Sequence, residues 1–325
     1  MKRKKLLATI LTVAMVASLA ACGSTPSDNE QSTVQNSGSE TQQESSDAPA
    51  DSSTPSSDTG SGATTFENKV ILGSTTDLSG DFRFPGWGGS SAGAADQDVS
   101  RLTSGYGTME IAEDGNYVWS ETVVKNHTET ENEDGTVTYT VEINEGLTFS
   151  DGSPITAKNY LASTMAFGSC VSVEAGRPGT GGMSLIGYEA YNAYTGEEAE
   201  GTSKEFAGIH LLGDYSFSFT VSSDYYPYYF AYTYAAADPT PLGLVLGEGV
   251  DIMDDGNGAY LSDSFYEKDG DSYVKAQEMM ANRYDVTKYP YSGPYVISDW
   301  DQSTKQVTMT LNPEFKGNYE GQVAS

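Results

Sequence analysis

Two short stretches carry the spacing of a nucleophile site. Gly89 to Gly93 reads Gly-Ser-Ser-Ala-Gly. This is the G-x-S-x-G pattern, in which Ser91 would need a buried strand before it and a helix after it. The preceding Phe-Arg-Phe-Pro-Gly-Trp-Gly is no such strand, which favours a plain Gly/Ser loop. Ser272 to Lys275 fits the S-x-x-K spacing of a Ser-Lys hydrolase, yet no Lys-Thr-Gly follows, and a helix cap at Ser272 accounts for the same residues. The chain has only two histidines, His127 and His210, and neither belongs to an H-E-x-x-H pair. That leaves little material for a zinc site or for general-base catalysis. Residues 251–263, DIMDDGNGAYLSD, have the acid and glycine content of a calcium loop. However, Met253 occupies a ligand position and Ser262 stands where the bidentate glutamate belongs. The residues call for no metal and no cofactor.

Binding chemistry has more to work with. The chain holds 22 tyrosines, densest in the run DYYPYYFAYTY. Tyrosine rings offer flat apolar faces with hydroxyl tips, suited to lining a cleft or to packing a core. The run by itself leaves both open.

The elements that would position such residues begin well inside the chain. Lys2, Arg3, Lys4 and Lys5 precede an apolar stretch from Leu6 to Ala21, shorter than the roughly 20 residues of a spanning helix. This is the pattern of a signal peptide over residues 1–21. It ends in Leu-Ala-Ala-Cys, similar to the lipobox of bacterial lipoproteins, in which Cys22 is acylated and becomes the new N-terminus. From Cys22 to residue 65 the chain is Ser, Thr, Gln, Asp, Glu, Pro and Gly with almost no large apolar side chain. Such a segment cannot offset its ordering entropy and reads as a disordered tether. A coil of about 40 residues reaches roughly 35 Å. With Cys22 acylated, Cys170 has no intramolecular partner, so the exported domain folds without a disulfide.

The net charge is −29, and only seven of the 46 acids lie in the tether. So acidic a body is repelled by nucleic acid and by anionic head groups. Residues 66–325 have a mixed α/β texture. Val137, Tyr139, Val141 and Ile143 alternate with polar residues as in a half-buried strand. The upstream VVKNHTET and the turn ENEDG complete a hairpin. Thr156 is placed to cap a helix through Met165. Tyr215 to Val221 and Val307 to Leu311 alternate again, and Ser272 is placed to cap a helix running to Tyr284.

This order of elements resembles a known family. EDGTVTYTVEINEGLTFSDGSPITAKNY, residues 133–160, is similar to the signature of extracytoplasmic solute-binding proteins of family 5, the peptide and nickel type. Gly146, Phe149, Asp151, Gly152, Pro154, Thr156 and Ala157 fall where that signature has those residue types. YSGPYVISDW (291–300) and LNPEFKG (311–317) resemble its Gly-Thr-Gly-Pro-Tyr strand entry and the Asn-Pro-acid-aromatic segment after it. YGTMEIAEDGNYV (106–118) and GIHLLGDYSFSFTVSSDYYPYYF (208–230) resemble two more of its segments, in the same order. Asn144, Thr148 and the pair Lys158-Asn159 depart from the pattern and read as surface changes.

The resemblance implies a periplasmic-binding-protein fold of type II, a mixed α/β sheet, with a small inserted domain over residues 106–205 or so. It implies the first lobe of a two-lobed clamp with the second lobe beyond Ser325, and hence weak peptide binding by this chain alone. It further implies a non-enzymatic role: capture of a peptide or similar solute for an ABC permease and its ATPase, on the outer face of the cell membrane. The loop after the first strand borders the cleft in that family, which nominates Ser79, Gly80, Asp81 and Phe82 as ligand contacts. The competing readings are an extracytoplasmic hydrolase using Ser91 and a surface adhesin or calcium-dependent interaction domain.

The lipobox reading predicts that Cys22→Ser leaves an unprocessed precursor while the wild type partitions into detergent. N-terminal sequencing checks it, and a soluble mature chain starting elsewhere than Cys22 overturns it.

Overall fold

The computed structural model describes residues 69–82, 93–228, 231–287 and 290–317. The chain divides into two units, Met1–Ala63 and Thr64–Ser325, and every described residue belongs to the second. The signal segment, the tether, Cys22 and Ser91 lie outside the described residues.

A short hairpin of β1 (Met109–Ile111) and β2 (Tyr117–Trp119) comes first. A four-stranded antiparallel sheet follows, built from β3 (Val124–Glu131), β4 (Val137–Ile143), β5 (Ile209–Gly213) and β6 (Ser216–Val221) in the order β3-β4-β6-β5. The alternation read from the sequence sets its register. Val137 faces Val221, Tyr139 faces Phe219 and Val141 faces Phe217, so all six side chains enter one core. Ring burial at Phe217 and Phe219 stabilises by roughly 2–3 kcal/mol each. On the opposite face Thr138 meets Thr220, hydroxyl to hydroxyl, at 3.0 Å.

The remaining pieces are smaller. Before the sheet lies α1 (Ala94–Thr103), and between β4 and β5 lie α2 (Ala157–Gly168), α3 (Cys170–Glu174) and α4 (Tyr188–Asn192). After the sheet come α5 (Leu242–Val245), the hairpin β7 (Ile252–Asp254)–β8 (Ala259–Leu261), the ribbon β9 (Lys268–Asp269)–β10 (Ser272–Tyr273) and α6 (Val274–Asn282). The hairpin β11 (Tyr295–Asp301)–β12 (Gln306–Leu311) closes the described chain. Ser272 is therefore not a cap. It pairs with Asp269 in the ribbon, and the helix starts after Tyr273.

The signature region folds as read, with one exception. Asp151 Oδ1 accepts from the Ser153 N–H at 2.9 Å, and Gly152 turns at φ 82°. Thr156 precedes α2 in extended backbone. The exception is Asn159, read as a surface change but almost fully buried. Its Oδ1 accepts from the Thr156 N–H at 2.8 Å, while its Nδ2 donates to the Thr240 carbonyl at 3.0 Å. One carbamoyl thus closes the helix start and anchors a distant segment, which a carboxylate cannot do because it donates nothing. Its neighbour Lys158 pairs with Asp251 at 2.6 Å.

The two motifs, far apart in sequence, touch. The Ser150 N–H donates to the Tyr291 carbonyl at 2.8 Å and the Tyr291 N–H to Ser150 Oγ at 2.9 Å. Next to them Gly293 lies backbone on backbone against α1. A Cβ there would fall 2.4 Å from the Thr103 carbonyl carbon. Asn312, fully buried, donates to the Gly293 carbonyl at 2.9 Å. A second, smaller core of Phe82, Val99, Val286, Tyr291 and Ile297 sits here, under Trp300.

Two substitutions test this joint. Asn159→Asp strands the Thr240 carbonyl and should cost about 1–3 kcal/mol. Gly293→Ala forces two backbones apart and should cost about 2 kcal/mol or more. Urea melts read both; wild-type midpoints for the pair would refute the joint as described.

Candidate functional site

Residues 236–240, Ala-Ala-Asp-Pro-Thr, are pinned at both ends. Upstream, the Thr108 N–H donates to the Ala237 carbonyl at 2.9 Å, and the Ala237 N–H returns to Thr108 Oγ1 at 2.9 Å. Downstream, the Thr240 N–H donates to the Asn159 carbonyl at 3.0 Å and its hydroxyl meets Ser163 Oγ at 2.7 Å. Pro239 and Pro241 fix φ on either side of Thr240. Asp238, between the two staples, has little freedom. Its carboxylate lies against Gly107, where a Cβ would stand 2.6 Å from Oδ1.

This segment forms one wall of a pocket of about 230 Å³. Tyr160, Ser163, Thr164 and Phe167 on one face of α2 make the second wall, and Arg177, Thr180 and Gly181 the third. The third wall can approach only because two glycines meet. The Gly181 N–H donates to the Phe167 carbonyl at 3.0 Å, and a Cβ on Gly168 would fall 2.5 Å from the Gly181 oxygen.

The polar groups of the pocket differ in what they have left to offer. Tyr160 donates its hydroxyl to the Tyr106 carbonyl at 2.9 Å, and burial pushes its proton affinity up. Arg177 lays its guanidinium over the Phe167 ring at 4.7 Å. Burial and the nearby Arg283 charge lower its pKa, and the Asp81 carboxylate works the other way. Asp238 has its carboxyl raised above the usual range by burial. Ser163 is held by Thr240, and no histidine lines the pocket.

Of the four residues nominated from the sequence, Phe82 belongs to the smaller core, Gly80 and Asp81 are buried, and Ser79 is exposed. The Ser79 N–H and hydroxyl both bind the Asp96 carboxylate, at 2.8 and 3.0 Å. Gly80 turns at φ 87° beneath the Trp300 indole, whose Nε1 would be 2.9 Å from a Cβ. Asp81, 2% exposed, pairs with Arg283 at 2.8 Å, and Phe82 packs edge-on against Trp300 with ring centres 4.9 Å apart. Through Arg283 and Asp81 this loop reaches the Arg177 side of the pocket electrostatically.

Sequence reading missed Arg177 and Asp238. The signal for Asp238 is an acid followed by two prolines in ADPTP, a pattern that rigidifies a loop. Among the described residues of the tyrosine run, Tyr225, Tyr226, Tyr232 and Tyr234 are half-buried against the large core, while Tyr228 is exposed. Tyr226 donates to Glu131 at 2.9 Å.

The other motifs are absorbed by structure. Asp254 accepts from the Leu211 N–H at 2.9 Å and faces His210 at 3.1 Å. Lys275 donates to the Glu248 carbonyl at 2.8 Å. His127 stacks on Trp119 with ring centres 4.6 Å apart. Among the described residues no group of acids, histidines and cysteines could hold a metal ion, and no helix is long and apolar enough to cross a membrane.

No curated protein matches the chain. Solved structures do. The chain is similar to the Bacillus subtilis oligopeptide-binding protein AppA, solved with a nonapeptide, at 16% identity and a TM-score of 0.42 over 69% of this chain and 33% of that one. It is similar to Haemophilus influenzae OppA in complex with RPPGFSPFR, at 14% identity and a TM-score of 0.44 over 71% of this chain and 37% of that one. The Thermus thermophilus oligopeptide-binding protein, complexed with a pentapeptide, gives 15% identity and a TM-score of 0.40 over 71% of this chain and 36% of that one. The chain thus spans about a third of the length of the solved structures it matches. The profile of bacterial extracellular solute-binding proteins, family 5 (middle), matches residues 112–323. That is more than half of the chain and includes every residue that lines the pocket, and the chain belongs to this family.

Proposed function

We propose that this protein is the substrate-binding component of an ABC importer, anchored by lipid at Cys22 on the outer face of the cell membrane, and that it captures oligopeptides for uptake. The observation that carries the reading is a preorganised pocket inside the family-matched region, with charged groups of both signs and no nucleophile–base pair. Captured solute passes to a membrane permease driven by an ATPase, so the protein makes and breaks no covalent bond. The Ser79–Phe82 loop belongs to the same site in this reading. It acts by holding Arg283 and, through charge, Arg177, rather than by touching solute with Asp81, whose carboxylate is buried.

Deletion of the gene should abolish uptake of a labelled tri- to pentapeptide pool. The wild-type gene should restore it, and a Cys22→Ser copy should not. Undiminished uptake in the deletion strain, with no parallel peptide importer expressed, refutes the cargo.

A further inference from the structure

The carboxylate of Asp238 stands apart from the other acids of known surroundings in this fold. Asp81 has a guanidinium at 2.8 Å, Asp96 has two donors on Ser79, and Asp254 has a backbone N–H and an imidazole. Among the described residues no hydrogen bond or ion pair reaches Asp238, although it lines the pocket wall and is stapled in place on both sides. Asp238 is half-buried, and a carboxylate held at a pocket wall with no partner among the described residues is placed to meet a cation from outside. Among the described residues Arg177 makes no ion pair with Asp238, its guanidinium lying over the Phe167 ring.

Resting on the reading of this pocket as the solute site, we infer that it takes the cationic group of its ligand, an ammonium or guanidinium, against the carboxylate of Asp238. The remaining walls fit the rest of such a group. Phe167 and Tyr160 present aromatic surface, and Ala236 and Ala237 add apolar surface, so the alkyl stem of a cation is desolvated while its head meets the carboxylate. A pocket of about 230 Å³ accommodates a group of the size of one amino-acid residue rather than a whole oligopeptide. The net charge of −29 raises the local concentration of cations before contact. The same chemistry could come from a peptide's α-ammonium or from a lysine or arginine side chain, and the probes below separate these.

The probes are n-pentylammonium and its neutral counterpart 1-pentanol, titrated into the full chain and followed by saturation-transfer NMR. The ammonium should bind about tenfold or more tighter than the alcohol, the margin of a charge-assisted hydrogen bond. Asp238→Asn, which keeps the shape, should bring the two to parity. It should melt at about the wild-type temperature, because the half-buried carboxylate has no partner among the described residues to lose. Parity in the wild type, a preference that survives in Asp238→Asn, or a variant that melts lower would each overturn the inference. Free trialanine, N-acetyl-trialanine amide and N-acetyl-Ala-Lys-Ala amide then locate the cation. A gain for the first over the second assigns the α-ammonium, and a gain for the third over the second assigns the side chain. Should all three fail while pentylammonium keeps its margin, the peptide reading falls and the cation assignment stands.

Discussion

The pocket and both cores lean on one three-residue turn, Gly105-Tyr106-Gly107. Gly105 sits so close to the 291–294 segment that a Cβ would fall 2.8 Å from the Ser292 carbonyl oxygen. Tyr106 adopts φ 61°, a left-handed conformation that costs a non-glycine residue roughly 1–2 kcal/mol. That strain is held by three contacts. Its carbonyl accepts from Tyr160, its hydroxyl accepts from the Lys316 N–H at 2.5 Å, and its ring lies 5.0 Å from Phe315. Gly107 then leaves room for the Asp238 carboxylate. One turn therefore locks the smaller core, the helix that floors the pocket, and the acid on its wall. Relaxing Tyr106 to an ordinary φ would redirect all three at once.

Two acids show how the same residue type serves opposite ends. Asp81 is neutralised by Arg283, and the pair ties the loop before α1 to the segment after α6. Such a pair contributes specificity of arrangement more than stability, because both ions lose their water. Asp238 has no hydrogen bond or ion pair among the described residues, and its segment is held instead by the side chains of Thr108 and Asn159 on either side. The first arrangement closes a structure, and the second places a carboxylate on a pocket wall.

The central sheet was legible because period-two alternation is a local property. Val137 to Ile143 and Phe217 to Val221 declare their buried face without reference to the rest of the chain. The Asp-Gly turn was legible for the same reason, since Gly152 needs its positive φ from its own neighbours alone. Asn159 was misread because its importance comes from Thr240, 81 residues away, and an asparagine at a helix start looks the same exposed or buried. Ser272 was misread because a competing ribbon with Asp269 is invisible in a propensity for caps. Arg177 could not be found by pattern at all. Its role depends on Gly168 and Gly181 meeting backbone to backbone, which no spacing rule encodes.

The residues that matched the family's motif and the residues that line the pocket are almost disjoint sets. Gly146, Asp151, Gly152, Ser150, Tyr291, Gly293 and Asn312 join strands, turns and cores, and they do so through backbone groups and tight approach. Arg177 and Asp238 belong instead to a glycine-rich loop and a proline-flanked loop laid against that frame. Such loops tolerate exchange of a side chain without disturbing the elements they rest on. The frame can therefore be kept while the charge pattern of the pocket changes, which is the separation a binding protein needs if one scaffold is to serve different solutes. In this chain the frame carries the recognisable sequence, and the chemistry sits where the sequence is least recognisable.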